Sequence, residues 1–334
     1  MSLFVTGAAG FIGGTFTYEA LKKGYKVIGC DNYVNSKPET IEKIKELFPN
    51  NFSFYEVDLK NIQELKMIMQ KEKISQVVHF AALKSVPESE KFPDIYWDNN
   101  VGSTTNLLRA MEENEINELI FSSSASVYGQ SAKQPINEKS KIEPVSVYAK
   151  TKSASEELIQ KSTSISPLKA ISLRYFNPLG AHDDLIIYEN PLTDFGNIMP
   201  KLLRVLIKKD KHFSIFGNNY NTRDGTGERD YLHVFDLIEG HFSALSHLKN
   251  ISNYDVFNLG TGTGVTVLEL LNIFKEVSGK DIQVKVKDRR SGDVDVCYSD
   301  CSKSNKILRW KAKKSIFDMC NDAIRSINKN FNEL

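Results

Sequence analysis

Short apolar segments alternate with amphipathic segments through the first half of the chain. Apolar runs of strand length lie at residues 3–6, 26–30, 52–57, 76–80, 118–122 and 169–174. Apolar positions with helical spacing lie at residues 11–23, 62–70, 96–114 and 148–161. Strands that alternate with helices in this way predict an α/β protein, in which a doubly wound parallel sheet carries helices on both faces.

The pattern changes after residue 177. Proline, glycine, histidine and acidic residues interrupt it through residue 190, and helices and short strands follow, among which a strand at 256–259 is placed to return to the first sheet. We therefore expect a Rossmann-type doubly wound parallel sheet and a smaller α/β lobe that binds a substrate. The predicted boundary assigns residues 1–177, together with about 230–260, to the first domain and residues 178–334 to the second.

A glycine-rich turn separates the first strand from the first helix. Gly7, Gly10 and Gly13 form a GxxGxxG pattern there. Small residues let the backbone approach a pyrophosphate, whose charge the N–H groups at the helix amino terminus can bind. Asp31 follows about 20 residues later, where an acid fits the ribose hydroxyls of adenosine and would repel a 2′-phosphate. The turn therefore predicts a dinucleotide site that favours NAD over NADP.

Ser124, Tyr148 and Lys152 have the order and spacing of a proton-transfer site. The Tyr-x-x-x-Lys spacing also occurs elsewhere in the chain, so alone it indicates only neighbours on a helix. Here, however, Ser124 ends a predicted buried strand, at the edge where parallel sheets bind ligands. A nearby ammonium lowers the pKa of a phenol, and a serine hydroxyl can donate to a developing carbonyl oxygen. We therefore predict that Tyr148 is a general base, with Lys152 and Ser124 as its partners.

The composition is that of an ordinary globular protein, with 41% hydrophobic residues, 25% charged residues and a net charge of +1. This balance argues against nucleic acid as a partner, and no apolar run reaches the roughly 18 residues of a membrane span. The four cysteines lack paired metal-ligand spacing, so we expect no metal and a cytoplasmic protein with reduced thiols. His79 lies inside an apolar strand, where a hydrogen-bonded core histidine is the favoured interpretation.

Two arginines and one apolar segment each have two interpretations. Arg229 and Arg290 lie in predicted loops, and a guanidinium group suits a diphosphate as well as it suits an exposed surface. Apolar residues at 92–97, and on the predicted helices near 100 and 155, are consistent with a subunit interface and equally with core packing. We expect a homodimer.

Taken together, these residues resemble the UDP-galactose (UDP-glucose) 4-epimerases, which are extended short-chain dehydrogenases/reductases. The resemblance is carried, in unbroken order, by GAAGFIG (7–13), DNYVNS (31–36), FAALKSV (80–86), SSSASVYG (122–129), YAKTK (148–152), RYFNPLGAH (174–182), IFGNNYNTRDGTGERDYLHV (215–234) and RRSGDV (289–294). The last three stretches are much more specific than the glycine turn. The resemblance implies an NAD-binding first domain, a UDP-sugar-binding second lobe, and interconversion of UDP-glucose and UDP-galactose through a transient 4-keto sugar.

The resemblance also implies a role for each matching residue. Besides the three glycines, the residues expected to bind NAD are Phe11, Ile12, Asp31, Asn32, Asn35, Ser36, Asp58, Leu59, Phe80, Ala81, Ala82, Lys84, Asn99, Tyr148, Lys152 and Phe176. Those expected to bind the UDP-sugar are Lys84, Ser124, Tyr148, Asn177, Asn197, Ile198, Ser214, Ile215, Phe216, Arg229, Arg290, Asp293 and Cys297. In the implied reaction Tyr148 removes the 4′-hydroxyl proton, and hydride leaves and returns to the same carbon.

The chain departs from the family pattern at two places. Residues 183–196 match poorly, and Cys297 stands four residues after Asp293, where a bulky tyrosine is frequent. A smaller side chain there leaves room beside the sugar, so we expect UDP-N-acetylglucosamine and UDP-N-acetylgalactosamine to be substrates as well. The alternative, a small buried cysteine without a role in the pocket, stays open.

Two other functions fit the same scaffold less well. Another sugar-nucleotide enzyme, such as a 4,6-dehydratase or a decarboxylase, is the first. Dehydratases place an acidic pair just after the active-site hydroxyl, whereas Ala125 and Ser126 follow Ser124 here. The second is a non-catalytic dinucleotide sensor, a class that tends to lose the tyrosine–lysine pair that this chain retains.

Overall fold

The computed structural model describes residues 1–130, 133–182, 184, 187–189, 197–290 and 293–331. The chain forms two compact units. Unit 1 comprises Met1–Val127, Ser146–Arg174 and His241–Phe257, and unit 2 comprises Tyr128–Val145, Tyr175–Gly240 and Asn258–Leu334. Most of the poorly matching segment at 183–196 lies outside the described residues.

The strands are short, and most of them are buried. They are β1 (Ser2–Thr6), β2 (Lys26–Asp31), β3 (Phe52–Glu56), β4 (Gln76–His79), β5 (Glu118–Ser124), β6 (Lys169–Tyr175), β7 (Asn177–Leu179), β8 (Phe213–Phe216), β9 (Glu228–Arg229), β10 (Tyr231–His233), β11 (Tyr254–Leu259), β12 (Val265–Thr266), β13 (Val284–Lys287) and β14 (Val296–Cys297). Strands β9 and β14 are only partly buried, and the residues of β13 are all exposed.

The helices follow the predicted alternation. They are α1 (Phe11–Lys22), α2 (Glu39–Leu47), α3 (Ile62–Glu72), α4 (Val86–Lys91), α5 (Pro93–Tyr96), α6 (Ser103–Glu113), α7 (Val147–Ile165), α8 (Ile198–Leu206), α9 (Val234–His247), α10 (Val267–Ser278) and α11 (Ile316–Phe331). Among the described residues, no helix combines the length and the apolar character that crossing a membrane requires.

Seven strands form the central sheet, in the order β11-β6-β5-β4-β1-β2-β3. The sheet is parallel, with Phe4 of β1 level with Ile28 of β2 on one side and with Val77 of β4 on the other. These residues are fully buried, because helices cover both faces of such a sheet and leave no strand face to solvent. The predicted doubly wound parallel sheet is confirmed, and it brings the carboxyl ends of β1, β2, β4 and β5 to one edge.

His79 is held inside this sheet as a core residue. Its Nδ1 lies 2.7 Å from Thr6 Oγ1 and its Nε2 lies 3.2 Å from Thr104 Oγ1. Burial lowers its pKa to about 3, so the imidazole is neutral at physiological pH.

The helix predicted at residues 96–114 is present, but a turn of π-helix over Trp97–Gly102 lies between α5 and α6. A π-turn inserts one extra residue without changing the apolar spacing on either side, so the hydrophobic pattern does not reveal it. Helix α4 was also not predicted, since Pro87 reads as a breaker although it stands in the first turn, after the N-cap Ser85.

Unit 2 contains three small sheets. Strand β10 pairs in parallel with β7, β13 pairs in parallel with β8, and β9 lies between β12 and β14. Apolar side chains of α8, α10 and α11 form much of its core. Residues 128–145 belong to this unit, although they precede the boundary at 177 that the sequence pattern indicates.

Candidate functional site

The glycine turn lies between β1 and α1, with its backbone close to the end of β4. Gly7 has φ +70°, and a Cβ added to it would stand 2.8 Å from the backbone nitrogen of Ala81. A Cβ on Gly13 would overlap the carbonyl oxygen of Gly7. Gly10, the N-cap of α1, has no side chain to cap the helix, so a bound anion can take that place beside Phe11 and Ile12.

Asp31 organises the turn that follows β2. Its carboxylate accepts hydrogen bonds from the backbone nitrogen of Ala9 (3.0 Å), the backbone nitrogen of Tyr33 (2.9 Å) and Ser36 Oγ (2.9 Å). Burial raises the pKa of Asp31, and these hydrogen bonds oppose the shift. The acid thus connects the glycine turn to residues 31–36, which is the segment predicted to hold the adenosine half of NAD.

One cleft in unit 1 is lined by nine of the nineteen residues predicted to bind the cofactor. Its space of ≈ 430 Å³ is partly open to solvent. The predicted residues in its lining are Gly7, Asp31, Asn32, Asn35, Asp58, Leu59, Ala81, Ala82 and Asn99. A glycine cradle that a Cβ would fill, beside a carboxylate at a strand end, fits the pyrophosphate and ribose of a dinucleotide.

Ser124, Tyr148 and Lys152 are also brought together in unit 1. Ser124 ends β5, and its Oγ accepts a 2.9 Å hydrogen bond from Ser126 Oγ. Tyr148 and Lys152 lie one turn apart near the start of α7. Lys152 Nζ donates a 2.7 Å hydrogen bond to the carbonyl oxygen of Ser122.

The pKa of Tyr148 differs from the sequence-based expectation. The sequence predicts that Lys152 lowers it, whereas burial raises it to about 12 and only a hydrogen bond with Ser124 opposes the rise. Burial also lowers the pKa of Lys152 to about 7, with the charge of Glu156 acting the other way. The ammonium of Lys152 is directed toward the carbonyl oxygen of Ser122. Burial of the phenol therefore raises the pKa of Tyr148 more than the lysine lowers it.

Glu156 is a buried residue of this site that the sequence analysis missed. It accepts hydrogen bonds from Ser123 Oγ and from Arg174 Nε, the latter at 2.9 and 3.2 Å to its two oxygens. The pair connects α7 to β5 and β6, and so fixes the helix that carries Lys152. Its position four residues after Lys152, on the same helix face, was the only signal in the sequence.

The residues predicted to line the nicotinamide side differ in burial and in the groups that they contact. The ring of Phe80 packs 4.9 Å from that of His241, and Lys84 is exposed. Asn99 Nδ2 donates to Asn100 Oδ1 at 3.0 Å in the π-turn. Phe176, also predicted to bind the cofactor, is buried in unit 2, where its backbone nitrogen donates to Leu259.

Asn100 was missed by the sequence analysis. Its buried amide accepts from the backbone nitrogen of Leu83 (2.8 Å) and donates to the Leu83 carbonyl oxygen and to Thr151 Oγ1 (3.0 Å each). It therefore holds the loop before Lys84 against α7.

The candidate substrate residues of unit 2 form two groups. In the first, Arg229 lies 3.4 Å from Asp293 Oδ1 and is level with Cys297 on the neighbouring strand β14. In the second, the guanidinium of Arg290 stacks 3.8 Å from the ring centroid of Phe216. Each arginine thus has a partner side chain, although Arg290 is exposed whereas Arg229 is largely buried.

The other predicted substrate residues occupy element ends and strand positions. Ser214 and Ile215 lie on β8, and Ile198 begins α8. Asn197 is the N-cap of α8, and its side chain donates to Glu189. Asn177 begins β7, where its backbone nitrogen donates to the carbonyl oxygen of Asp230 at 2.9 Å.

Asp230, the residue that follows Arg229, holds the first group in place. It is fully buried, and its carboxylate accepts from Thr261, Gly262 and Ser299. Its backbone nitrogen donates to the carbonyl oxygen of Cys297 at 3.0 Å. These contacts fix Arg229 and Cys297 on adjacent strands.

A parallel sheet with a glycine cradle, an acid after its second strand, and a partly buried tyrosine one helical turn from a buried lysine defines a class of nucleotide-dependent enzymes of the dehydrogenase/reductase type. Within that class, the chain belongs to the NAD dependent epimerase/dehydratase family, whose model matches residues 3–260.

Individual proteins match over almost the full chain. The UDP-glucose 4-epimerase of Bacillus subtilis (strain 168) is 40% identical over 333 residues, which are 99% of this chain and 98% of that protein. The structure of UDP-glucose 4-epimerase from Bifidobacterium longum in complex with NAD⁺ and UDP superposes with a TM-score of 0.94, at 37% identity, over 100% of both chains. The UDP-Glc/GlcNAc 4-epimerase of Campylobacter jejuni has a TM-score of 0.85 at 33% identity, over 98% of this chain and 99% of that one.

Proposed function

We propose that the protein is an NAD-dependent UDP-hexose 4-epimerase that interconverts UDP-glucose and UDP-galactose. The observation that carries the proposal is the cluster of Ser124, Tyr148 and Lys152 at the sheet edge. The cluster occurs in a chain that is 40% identical, over nearly its full length, to a UDP-glucose 4-epimerase.

Tyr148 is the acid–base group of the proposed reaction. Its phenol exchanges a proton with the 4′-hydroxyl of the hexose, and the hydrogen bond with Ser124 orients the phenol and favours its ionised form. Ser124 also contacts the sugar oxygen at which negative charge develops. Lys152 holds a ribose hydroxyl and supplies positive charge. The chemistry that NAD would supply when bound is reversible hydride transfer.

The proposed cofactor site is the cleft of unit 1. Gly7, Gly10 and Gly13 let the backbone approach the pyrophosphate, and Asp31 accepts from the adenosine ribose. Asn32, Asn35 and Ser36 complete the ribose side, and Asp58 and Leu59 lie beside the adenine. The nicotinamide half is assigned to Phe80, Ala81, Ala82, Lys84 and Asn99, and a cofactor contact from Phe176, in unit 2, stays a prediction. Unit 1 accordingly serves as the NAD-binding domain.

The proposed UDP grip is in unit 2. Arg229 and Arg290 neutralise the diphosphate, because planar guanidinium groups match phosphate oxygens in pairs. Phe216, Ser214 and Ile215 pack beside the uridine, and Asn177, Asn197 and Ile198 complete the contacts. Asp293 accepts from the ribose. Tight binding of UDP allows the keto sugar to rotate and present its other face without leaving the enzyme.

We extend the proposal to the N-acetylated substrates. Cys297 stands on β14 beside Arg229, where a cysteine occupies less space than a tyrosine. Burial raises the pKa of its thiol to about 11, so it is an uncharged wall residue at neutral pH. The Campylobacter jejuni relative, a UDP-Glc/GlcNAc 4-epimerase, belongs to the same fold and supports the wider range.

A homodimer in the cytoplasm completes the proposal. Phe92, Ile95 and Trp97 are exposed on α5 and its flanks, as expected for side chains that a second subunit covers. The four cysteines are unpaired, as is usual for proteins of the reducing cytoplasm.

The decisive experiment is incubation of the purified protein with UDP-galactose and no added cofactor. The proposal predicts that UDP-glucose forms until it is in equilibrium with UDP-galactose. It also predicts that NAD copurifies with the protein and is not consumed. A 4,6-dehydratase would instead yield a 4-keto-6-deoxy sugar nucleotide, a decarboxylase would act only on a uronate, and a sensor would yield no product.

A further inference from the structure

Helix α7 begins with backbone N–H groups that cannot be satisfied inside the helix. The first four N–H groups of any α-helix have no partner within the helix itself. Ser146, the N-cap, accepts from the backbone nitrogen of Ala149 at 3.1 Å, as such residues commonly do. The N–H groups of Val147 and Tyr148 are the next to need partners, and Tyr148 carries the proposed base.

Helix α4 supplies both partners. Glu90 Oε1 accepts from the backbone nitrogen of Val147 at 2.8 Å, and Ser89 Oγ accepts from the backbone nitrogen of Tyr148 at 3.1 Å. The fully buried hydroxyl of Ser89 also donates to the carbonyl oxygen of Val86 at 2.7 Å, which fixes the direction of its hydrogen bonds. A carboxylate at this position additionally complements the positive end of the helix dipole.

Helix α4 is itself fixed at its start. Ser85 caps it, and the hydroxyl of the buried Tyr96 accepts from the backbone nitrogen of Ser85 at 2.9 Å and donates to Glu88 Oε2 at 2.7 Å. The residues immediately before Ser85 form the loop that is assigned to the nicotinamide half of the cofactor. A short rigid helix therefore joins that loop to the backbone of Tyr148.

We propose that Ser89, supported by Glu90, is a positioning residue for the epimerase reaction. It holds the backbone of Tyr148 at a set position relative to the loop at residues 81–85. This inference rests on the proposed function, since it takes Tyr148 as the base. Neither residue touches the substrate in this account: Ser89 acts through the backbone of Tyr148, and Glu90 acts through that of Val147 beside it. Small displacements of a reacting group reduce rate strongly, about 10²-fold for roughly 1 Å.

The test compares Ser89→Ala with Thr163→Ala in the full-length, cofactor-loaded enzyme. Thr163 is a matched control, because it is a buried hydroxyl residue near the other end of α7 and donates to the Gln160 carbonyl oxygen at 2.8 Å. We expect both variants to lower Tm. We expect only Ser89→Ala to lower kcat for UDP-galactose, by about 10-fold, with KM unchanged within about twofold.

A second pair keeps the test decisive if Ser89→Ala does not fold. Glu90→Ala removes the acceptor for Val147, whereas Glu90→Gln keeps an amide oxygen there, so kcat should fall only in the former. The proposal is overturned if Ser89→Ala keeps the wild-type kcat, or if Thr163→Ala lowers kcat as much as Ser89→Ala does. If Ser89→Ala cannot be purified, the proposal is overturned when Glu90→Ala and Glu90→Gln have the same kcat. A wild-type protein inactive on UDP-galactose would overturn the proposed function as well, so the two failures are distinguishable.

Discussion

The ammonium of Lys152 is hydrogen-bonded at 2.7 Å to the carbonyl oxygen of Ser122, inside the protein rather than at its surface. The lysine is 4% exposed, and its Nζ lies 4.9 Å from the centroid of the Phe121 ring. Burial lowers its pKa from 10.5 to about 7. The charged form is therefore disfavoured in the folded protein relative to the unfolded chain, and this effect depends on pH.

The first prediction concerns that pH dependence. Between pH 7 and 10.5 the unfolded chain binds a proton at Lys152 that the folded protein does not, so stability rises with pH across this range. The destabilisation is complete below the folded pKa and disappears above the unfolded one. Lys152→Met should therefore raise Tm relative to wild type most at about pH 6, and the advantage should shrink toward about pH 10. Thermal unfolding of both proteins across this range is the measurement; a difference that grows with pH would contradict the assignment.

The second prediction concerns Tyr148. Tyr148→Phe removes one hydroxyl and should reduce kcat by about 10²–10⁴-fold, the usual contribution of a general acid–base group, while NAD still copurifies. Tyr18→Phe is the control, because Tyr18 and Lys22 repeat the same spacing on α1 and have no proposed role. Steady-state kinetics with UDP-galactose compares the two. A Tyr148→Phe enzyme with near wild-type turnover would refute the role of this tyrosine.

The fold and the cofactor cleft could be predicted because their signals are local in sequence. An apolar run followed by Gly7, Gly10 and Gly13, or by Asp31, contains both the element and the chemistry in one stretch.

The features of the site that could not be predicted depend on contacts between residues far apart in sequence. Glu156 meets Arg174, and Asp230 meets Ser299, only after the chain has folded, so no spacing indicates either pair. The pKa of Tyr148 was misjudged for a similar reason, because the direction of the Lys152 side chain depends on the position of the Ser122 carbonyl oxygen. A π-turn is equally hidden, since apolar spacing continues on both sides of it.

The third prediction concerns the two arginines of unit 2. Arg229→Ala and Arg290→Ala should each raise KM for UDP-galactose by about 10-fold or more, because each removes a charge-assisted hydrogen bond to the diphosphate. Arg109→Ala, an exposed arginine of α6, is the control and should leave KM unchanged. Michaelis constants and inhibition by UDP are the readouts. Unchanged values in both test variants would identify Arg229 and Arg290 as residues without a substrate role.

The fourth prediction concerns substrate range. Cys297→Tyr should abolish turnover of UDP-N-acetylglucosamine and UDP-N-acetylgalactosamine while UDP-glucose and UDP-galactose remain substrates, because the ring would overlap the N-acetyl group. Wild type and variant are compared on all four sugar nucleotides, with Cys301→Ser, at another buried thiol, as the control. If wild type never turns over the N-acetylated pair, or if the variant retains both pairs equally, Cys297 does not determine the range.

The central claim is that hydride leaves C4 of the hexose and returns to the same carbon within one enzyme. It is tested most directly with UDP-galactose that carries deuterium at C4, incubated with the purified protein in ordinary water without added cofactor. The account predicts UDP-glucose that retains the deuterium at C4, with no accumulation of NADH. Loss of the deuterium to water, or stoichiometric formation of NADH and a keto sugar, would contradict it.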